Sequence, residues 1–198
     1  MTDADYLKGH FLVAMPDMKD DRFKKAVIFI CSHSPDGAMG IIVNQPAEEF
    51  SFSELLSQMN ISPFKNAITI PEFLIEPCVF RGGPVEPNRG FVLHSPDYYI
   101  ERSTVRIGDQ IYLTATMDII RAIAEGRGPQ YSLFALGYAG WGPGQLEHEL
   151  QDNGWLNCEG DSHVLFHMES HERYNGALRS LGIDPDRISQ FAYSMGHA

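Results

Sequence analysis

The stretch from Ala26 to Asn44 restricts this chain more than any other. Ala26–His33 is a run of β-branched and aromatic residues, the side chains that pack well on a pleated surface. Ala38–Asn44 is a second apolar run. Between them stands Ser34-Pro35-Asp36-Gly37, with proline at the second turn position and glycine at the fourth, where a type I turn takes them. Two such runs joined by so short a turn predict a buried β-hairpin.

The remaining signals add strands more often than helices. His10–Ala14, Cys78–Arg81, Arg89–Ser95, Ile111–Thr116 and Tyr131–Ala139 read as strands, and Val164-Leu165-Phe166 as a further short one. Ser51-Phe52-Ser53-Glu54 has capping-box spacing and predicts a short helix through Met59. Met117–Glu125 places Ile119, Ile120 and Ile123 on one helical face, and Gly126, Gly128 and Pro129 stop it. A glycine-rich loop, Gly140–Gly144, leads into a short helix over about Gln145–Asp152, ended by Asn153-Gly154. In the last helix Tyr174, Ala177, Leu178 and Leu181 share a face, Gly182 is the left-handed cap, and Ile183 and Pro185 follow. There is no regular alternation of strand and helix. The class is therefore α+β, built on a mostly antiparallel sheet that curls toward a partial barrel.

A chain of 198 residues with 43% hydrophobic and 21% charged residues suits one domain with a real core. Glycine and proline are scattered rather than collected at a boundary, which also predicts a single domain over 1–198. The formal net charge of −11 opposes direct nucleic-acid binding, which draws its affinity from Lys and Arg that neutralise phosphates. Cys31, Cys78 and Cys158 are odd in number and widely spaced, as expected of free thiols in a reducing compartment. Met1–Lys8 carries Asp3 and Asp5 and lacks a signal-peptide apolar stretch. The apolar runs at Ala26–Cys31 and Ala38–Val43 are too short to span a bilayer. A cytoplasmic protein without membrane association is the expectation.

Three segments combine reactive or aromatic side chains with glycine. The first runs from Cys31-Ser32-His33 through Gly37-Ala38-Met39-Gly40 to Val43-Asn44-Gln45-Pro46. The second is Arg81-Gly82-Gly83-Pro84-Val85 with Arg89-Gly90-Phe91-Val92-Leu93-His94. The third is Gly137-Tyr138-Ala139-Gly140-Trp141-Gly142-Pro143-Gly144-Gln145-Leu146-Glu147, continuing to Glu149, Leu150, Asn153 and Trp155. Together they resemble the YqgE/AlgH family, from the Phe11-Leu12-Val13-Ala14-Met15-Pro16 opening to Gly196-His197-Ala198. The resemblance implies a bacterial, cytosolic α+β protein whose branched sheet forms a pseudo-barrel flanked by a few short helices. Members are often labelled transcriptional regulators, after the regulation of alginate production, yet nothing in this chain resembles a helix-turn-helix. Ser32 stands where the family commonly has an acidic residue, and Gln45 where Arg is common before Pro46.

Several chemical readings compete. Cys31 and His33, two apart on one strand, would face the same side and begin a cysteine nucleophile, although a regular strand spaces them too far for a direct hydrogen bond. His163, His167 and His171 recur every four residues, a metal stripe only if one continuous helix carries them. The Gly140–Gly144 loop is placed to cradle an anion, but it lacks the Lys-Ser/Thr pair of a P-loop, and Glu147 and Glu149 would repel phosphate. Arg81 and Arg89 either recognise a carboxylate or phosphate or hold acidic loops such as that of Glu86.

No acid–base–nucleophile set is complete. The preferred reading is a non-catalytic binding or regulatory module. Its groove would be lined by His33, Asn44, Gly82, Gly83, Arg89, His94, Trp141 and Glu147 and would hold a small molecule or a partner protein. The alternative is a cysteine-dependent hydrolase or transferase centred on Cys31 with His33 or His94, and a third is a DNA-binding regulator. No cofactor and no metal are expected.

Overall fold

A computed structural model describes residues 6–61 and 78–188. The Gly196-His197-Ala198 end of the family resemblance lies outside the described residues. The described strands are β1 His10–Ala14, β2 Val27–Ser34, β3 Gly37–Ile42, β4 Val79–Arg81, β5 Val85–His94, β6 Thr104–Arg106, β7 Tyr112–Thr114, β8 Ser132–Trp141 and β9 Trp155–Glu159. The helices are α1 Phe52–Gln58, α2 Met117–Ala124, α3 Gln145–Gln151, α4 Ser162–Phe166 and α5 Arg173–Ser180. The hairpin of β2 and β3 forms as expected, with Ser34 opposite Gly37. Ser51 caps α1 with a complete capping box, its hydroxyl accepting from Glu54 N and the Glu54 carboxylate from Ser51 N. After α5, Gly182 takes φ +71° and Ile183 N donates to Leu178 O, the left-handed cap read from the sequence.

The strands follow the order β6-β7-β5-β8-β3-β2-β1-β9, all antiparallel neighbours, while β4 pairs in parallel with β8. The branch lies along β8. Its first half pairs with β5 on one edge and β4 on the other, and its last three residues pair with β3. Residues from β1 (Phe11, Val13) and β7 (Leu113), far apart in strand order, share one buried cluster with Phe29, Ile41, Phe91 and Leu133. Only a sheet curled on itself brings them together, so the architecture is an α+β half-barrel with short flanking helices. Val164 and Leu165 of α4 with Ala177 and Leu178 of α5 fill its interior.

Alternation along the strands sends the other side chains outward into two further clusters. Phe52, Leu55 and Leu56 of α1 and Ile119 and Ile120 of α2 cover Val79, Val92, Phe134 and Leu136. Leu146 of α3 joins Trp155 over Leu12, Ile28, Ile30, Ile42, Ala139 and Trp141.

Two sequence expectations are corrected. Val164-Leu165-Phe166 belongs to a helix, because Asp161 is an N-cap whose carboxylate accepts from His163 N at 2.7 Å. The strand β8 extends through Gly140 and Trp141, which are ladder residues rather than loop. Among the described residues no helix is long and apolar enough to cross a membrane.

Candidate functional site

The bulge in β2 decides the fate of the first motif. Its pairing with β3 shifts between Ile30 and Ser32, so Cys31 is an extra residue on that edge. Beyond it the faces exchange. Cys31 points into the half-barrel core, whereas His33 lies opposite Ala38, a member of the cluster under α3. The Cys31–His33 pair therefore does not form. Cys31 is 3% exposed and its thiol donates to Phe29 O at 3.6 Å. Burial pushes its pKa well above the usual thiol range, which keeps the sulfur protonated and unreactive. The His33 ring is fully committed. Nδ1 accepts from Leu7 N at 3.0 Å, so Nε2–H donates to Glu147 Oε1 at 2.8 Å. Glu147 is held below the ordinary carboxylate value by its own backbone N–H and by His33.

The other polar candidates divide between structural and exposed roles. Asn44 accepts from Val27 N and donates to Lys25 O, both at 2.8 Å, tying the start of β2 to the end of β3. Gly82 and Gly83 carry the chain from β4 to β5 against the backbone of β8, with Gly82 N donating to Leu136 O at 2.7 Å. Arg81 forms a two-pronged contact with Glu49 at 3.0 and 2.6 Å. Arg89 reaches Glu86 at 3.0 Å and lies 5.2 Å over the Phe91 ring. The pair Arg89–Glu86 is more than half exposed on the arginine side, and such surface pairs hold their partners weakly.

His94 is wholly buried in the middle of a polar chain. Its Nδ1–H donates to Ser95 O at 2.8 Å, so Nε2 accepts from the Thr114 hydroxyl at 2.9 Å. Thr114 in turn meets Thr104 Oγ1 at 2.7 Å, which accepts from Ile100 N. Burial lowers the His94 pKa from its ordinary 6.5, against the opposing pull of Ser95 O and Asp97. Since the folded value is the depressed one, the neutral ring's contribution to stability is complete above about pH 6.5 and is lost as pH falls through the folded value. The melting temperature is expected to decline as pH falls below about 6.5, before the carboxylates titrate. A His94→Gln variant, less stable at pH 7.5, should show a flatter profile in that window. A wild-type profile flat over the same window would remove this role for His94.

The histidine stripe also resolves. His163 and His167 sit on and just after α4 with rings 5.5 Å apart, while His171 lies in a separate 3₁₀ turn over Ser170–Glu172. Among the described residues no group of three potential ligands could hold a metal ion.

What the fold does assemble is a pair of grooves that share Val85, Gly140 and Trp141. The first, about 530 Å³, draws on all three motif segments: Ser32, Ser34 and Met39 from the hairpin, Arg89 and Phe91 from β5, and Tyr138 and Trp141 from β8. Phe91 and Tyr138 meet edge to face at 5.8 Å. The second, about 610 Å³, adds Phe23, Arg22, Gln145, Glu149 and Trp155. Here one carboxylate organises the aromatics. Glu149 Oε2 accepts from Trp141 Nε1 at 2.9 Å and from Trp155 Nε1 at 2.8 Å, while Oε1 accepts from Gln145 Nε2 at 2.9 Å. Gln145 Oε1 accepts from Gly142 N at 3.0 Å, so this loop amide is already used and does not face an anion.

Of the eight candidate lining residues, only Arg89 and Trp141 therefore reach these grooves. His33, Asn44, Gly82, Gly83, His94 and Glu147 do not line them. Tyr138 and Phe91 lay within the motifs, but no sequence signal separated them from core aromatics. Phe23 and Arg22 came from outside the motifs altogether.

The branched, curled sheet and the glycine-lined aromatic grooves define an α+β half-barrel of the pseudo-barrel type. The chain belongs to the AlgH-like family, whose model matches residues 11–186. It is 54% identical to a UPF0301 protein of Bradyrhizobium diazoefficiens, over 98% of this chain and 90% of the relative. It is 52% identical to one of a Methylobacterium species, over 98% of this chain and 91% of the relative. The solution structure of the AlgH protein from Pseudomonas aeruginosa superposes with a TM-score of 0.75 at 38% identity, covering 96% of both chains. A Corynebacterium diphtheriae protein shares the fold at a TM-score of 0.68 and 18% identity, over 90% of this chain and 89% of that one.

Proposed function

We propose that this chain is a binding module that holds a small molecule or a segment of a partner protein in the grooves flanking Trp141. It exerts its effect by being occupied rather than by catalysis. The observation that carries this reading is convergence: three motif segments, distant in sequence, meet at one groove, and its shared indole is fixed in place by Glu149. Both volumes fall in the range of small-molecule sites, roughly 300–1,000 Å³, and both combine aromatic walls with a few polar groups. Cys31, the nucleophile of the catalytic alternative, is buried on another face with a raised pKa. The second groove carries four carboxylates, Asp17, Asp20, Glu149 and Asp152, against two cations, Lys19 and Arg22, and this acidic balance opposes a phosphate backbone and favours an indirect route to any regulatory effect.

Both tryptophans of the chain line the second groove, so intrinsic fluorescence reports on it directly. Compounds and peptides that raise the melting temperature should also change this emission. Arg89→Ala in the first groove or Arg22→Ala in the second should weaken them about tenfold, the cost of one charge-assisted hydrogen bond. Both arginines are exposed, so the fold is expected to survive either change. Ligands that bind both variants as tightly as wild type would sink this reading.

A further inference from the structure

A second polar cavity lies away from both grooves, where α4, the Ser170–Glu172 turn and the start of α5 face β4 and β8. It measures about 210 Å³, and its polar lining comes from Cys78, Ser132, His167, Glu169, Ser170 and Arg173. Arg173 is only 7% exposed, an uncommon position for a permanent cation. Its Nη1 donates to Val43 O and its Nε to Met168 O at 3.2 Å, while the guanidinium lies 4.9 Å over the Phe80 ring. These partners are carbonyls and a ring face. Among the described residues Arg173 makes no salt bridge, and its Nη2 has no hydrogen-bond partner. Burial lowers its pKa to about 10, still far above neutrality, so the charge persists.

A buried cation that no described carboxylate meets in a salt bridge is costly unless something anionic satisfies it. We propose that this cavity is an oxoanion site, in which Arg173 receives a carboxylate or phosphate group, free or at the end of a small metabolite. The cavity's volume is below that of sites for whole cofactors, which limits the occupant to an ion or a terminal group. Ser132 and Ser170 are among the lining residues, and a serine hydroxyl can donate to an oxoanion. The exposed Glu169 shares this lining and its charge acts favourably on Arg173, so it competes with an incoming anion, which favours a weakly held, exchangeable one. None of these residues lines the Trp141 grooves, so this site stands or falls independently of the function proposed above.

The test titrates the full-length chain with potassium phosphate and, separately, potassium acetate, holding ionic strength constant with potassium chloride. Backbone amide shifts of Ser132 and Ser170 and the rate of Cys78 alkylation by iodoacetamide are followed. Cys31 and Cys158 are buried, so Cys78 is the thiol that reacts. Saturable shifts and at least about a threefold slowing of Cys78 are expected, because an occupied cavity covers that sulfur. A response to phosphate alone assigns a phosphoryl group, to acetate alone a carboxylate, and to both an unselective oxoanion site. Glu169→Gln should tighten binding about threefold by removing a nearby like charge, a gain that misfolding cannot imitate. Ser170→Ala should weaken it about fivefold, and Arg173→Lys, if its near-UV circular dichroism is native, by about tenfold or more. No saturable response to either anion would overturn the site, and so would binding unchanged in both Glu169→Gln and Ser170→Ala.

Discussion

Gly83→Ala is expected to destabilise the chain by about 3 kcal/mol or more, lowering its melting temperature by roughly 6–12 °C. Gly83 has φ +153°, and a Cβ built there would fall inside contact distance of the Tyr138 carbonyl and of Ala139 N. These are backbone atoms of β8 and cannot turn aside as a flexible side chain would. On one side Gly82 O accepts from Ile42 N at 2.8 Å, and on the other Gly82 N donates to Leu136 O. The glycine pair is therefore the seam that holds β3 and the branch point of β8 together. Gly182→Ala is the control. It has φ +71° but open space around it, so it should cost only about 1 kcal/mol. Equal losses from the two variants would mean that the close approach to β8 is not what requires Gly83.

Glu149→Ala should have the next largest effect, about 2 kcal/mol on stability together with loss of groove binding. The substitution strands two indole N–H groups that share one carboxylate oxygen, and both tryptophans are nearly buried. An unsatisfied buried donor costs roughly 1–3 kcal/mol, and water entering the adjoining groove offsets part of that. Glu149→Gln retains an acceptor oxygen and should recover about half the loss. Urea unfolding of the three proteins, monitored by tryptophan emission and circular dichroism, separates these cases. If the alanine variant matched wild type in both stability and emission maximum, Glu149 would not be the organiser of the indoles.

Local chemistry was legible in the sequence where neighbours in the chain decide the structure. The hairpin at Pro35-Asp36, the capping box at Ser51, the isoleucine face of α2 and the Gly182 cap all depend on residues a few positions apart. The family and its half-barrel could be read from the spaced motifs, and the match over residues 11–186 agrees. Strands β6 and β9 escaped notice for a different reason. The first has three residues, and the second is fixed by pairing with β1 across the length of the chain. A short apolar run such as Val164-Leu165-Phe166 is ambiguous between buried strand and helix, and Asp161 was the deciding signal.

The site was harder to read because it depends on register. One extra residue at Cys31 sends His33 to the opposite face, which no alternation rule applied to the sequence anticipates. His94 and Asn44 look like ligand contacts in a motif, yet their polar atoms are spent on Ser95, Thr114, Val27 and Lys25. Arg173 shows the converse. Nothing in its sequence neighbourhood marks it, and only its packing against Phe80 and Val43 reveals that it is buried.

The grooves around Trp141 are the proposed binding surface. The most direct test records the two indole N–H resonances of the ¹⁵N-labelled chain during titration with the small-molecule and protein fractions of a bacterial extract. A fraction that binds is expected to shift or broaden the Trp141 indole signal together with amides of Ser32–Met39 and Val85–Phe91, and Arg89→Ala or Arg22→Ala to diminish the response. Binding that perturbs other surfaces while both indoles stay unmoved, or no binding from any fraction, would contradict it.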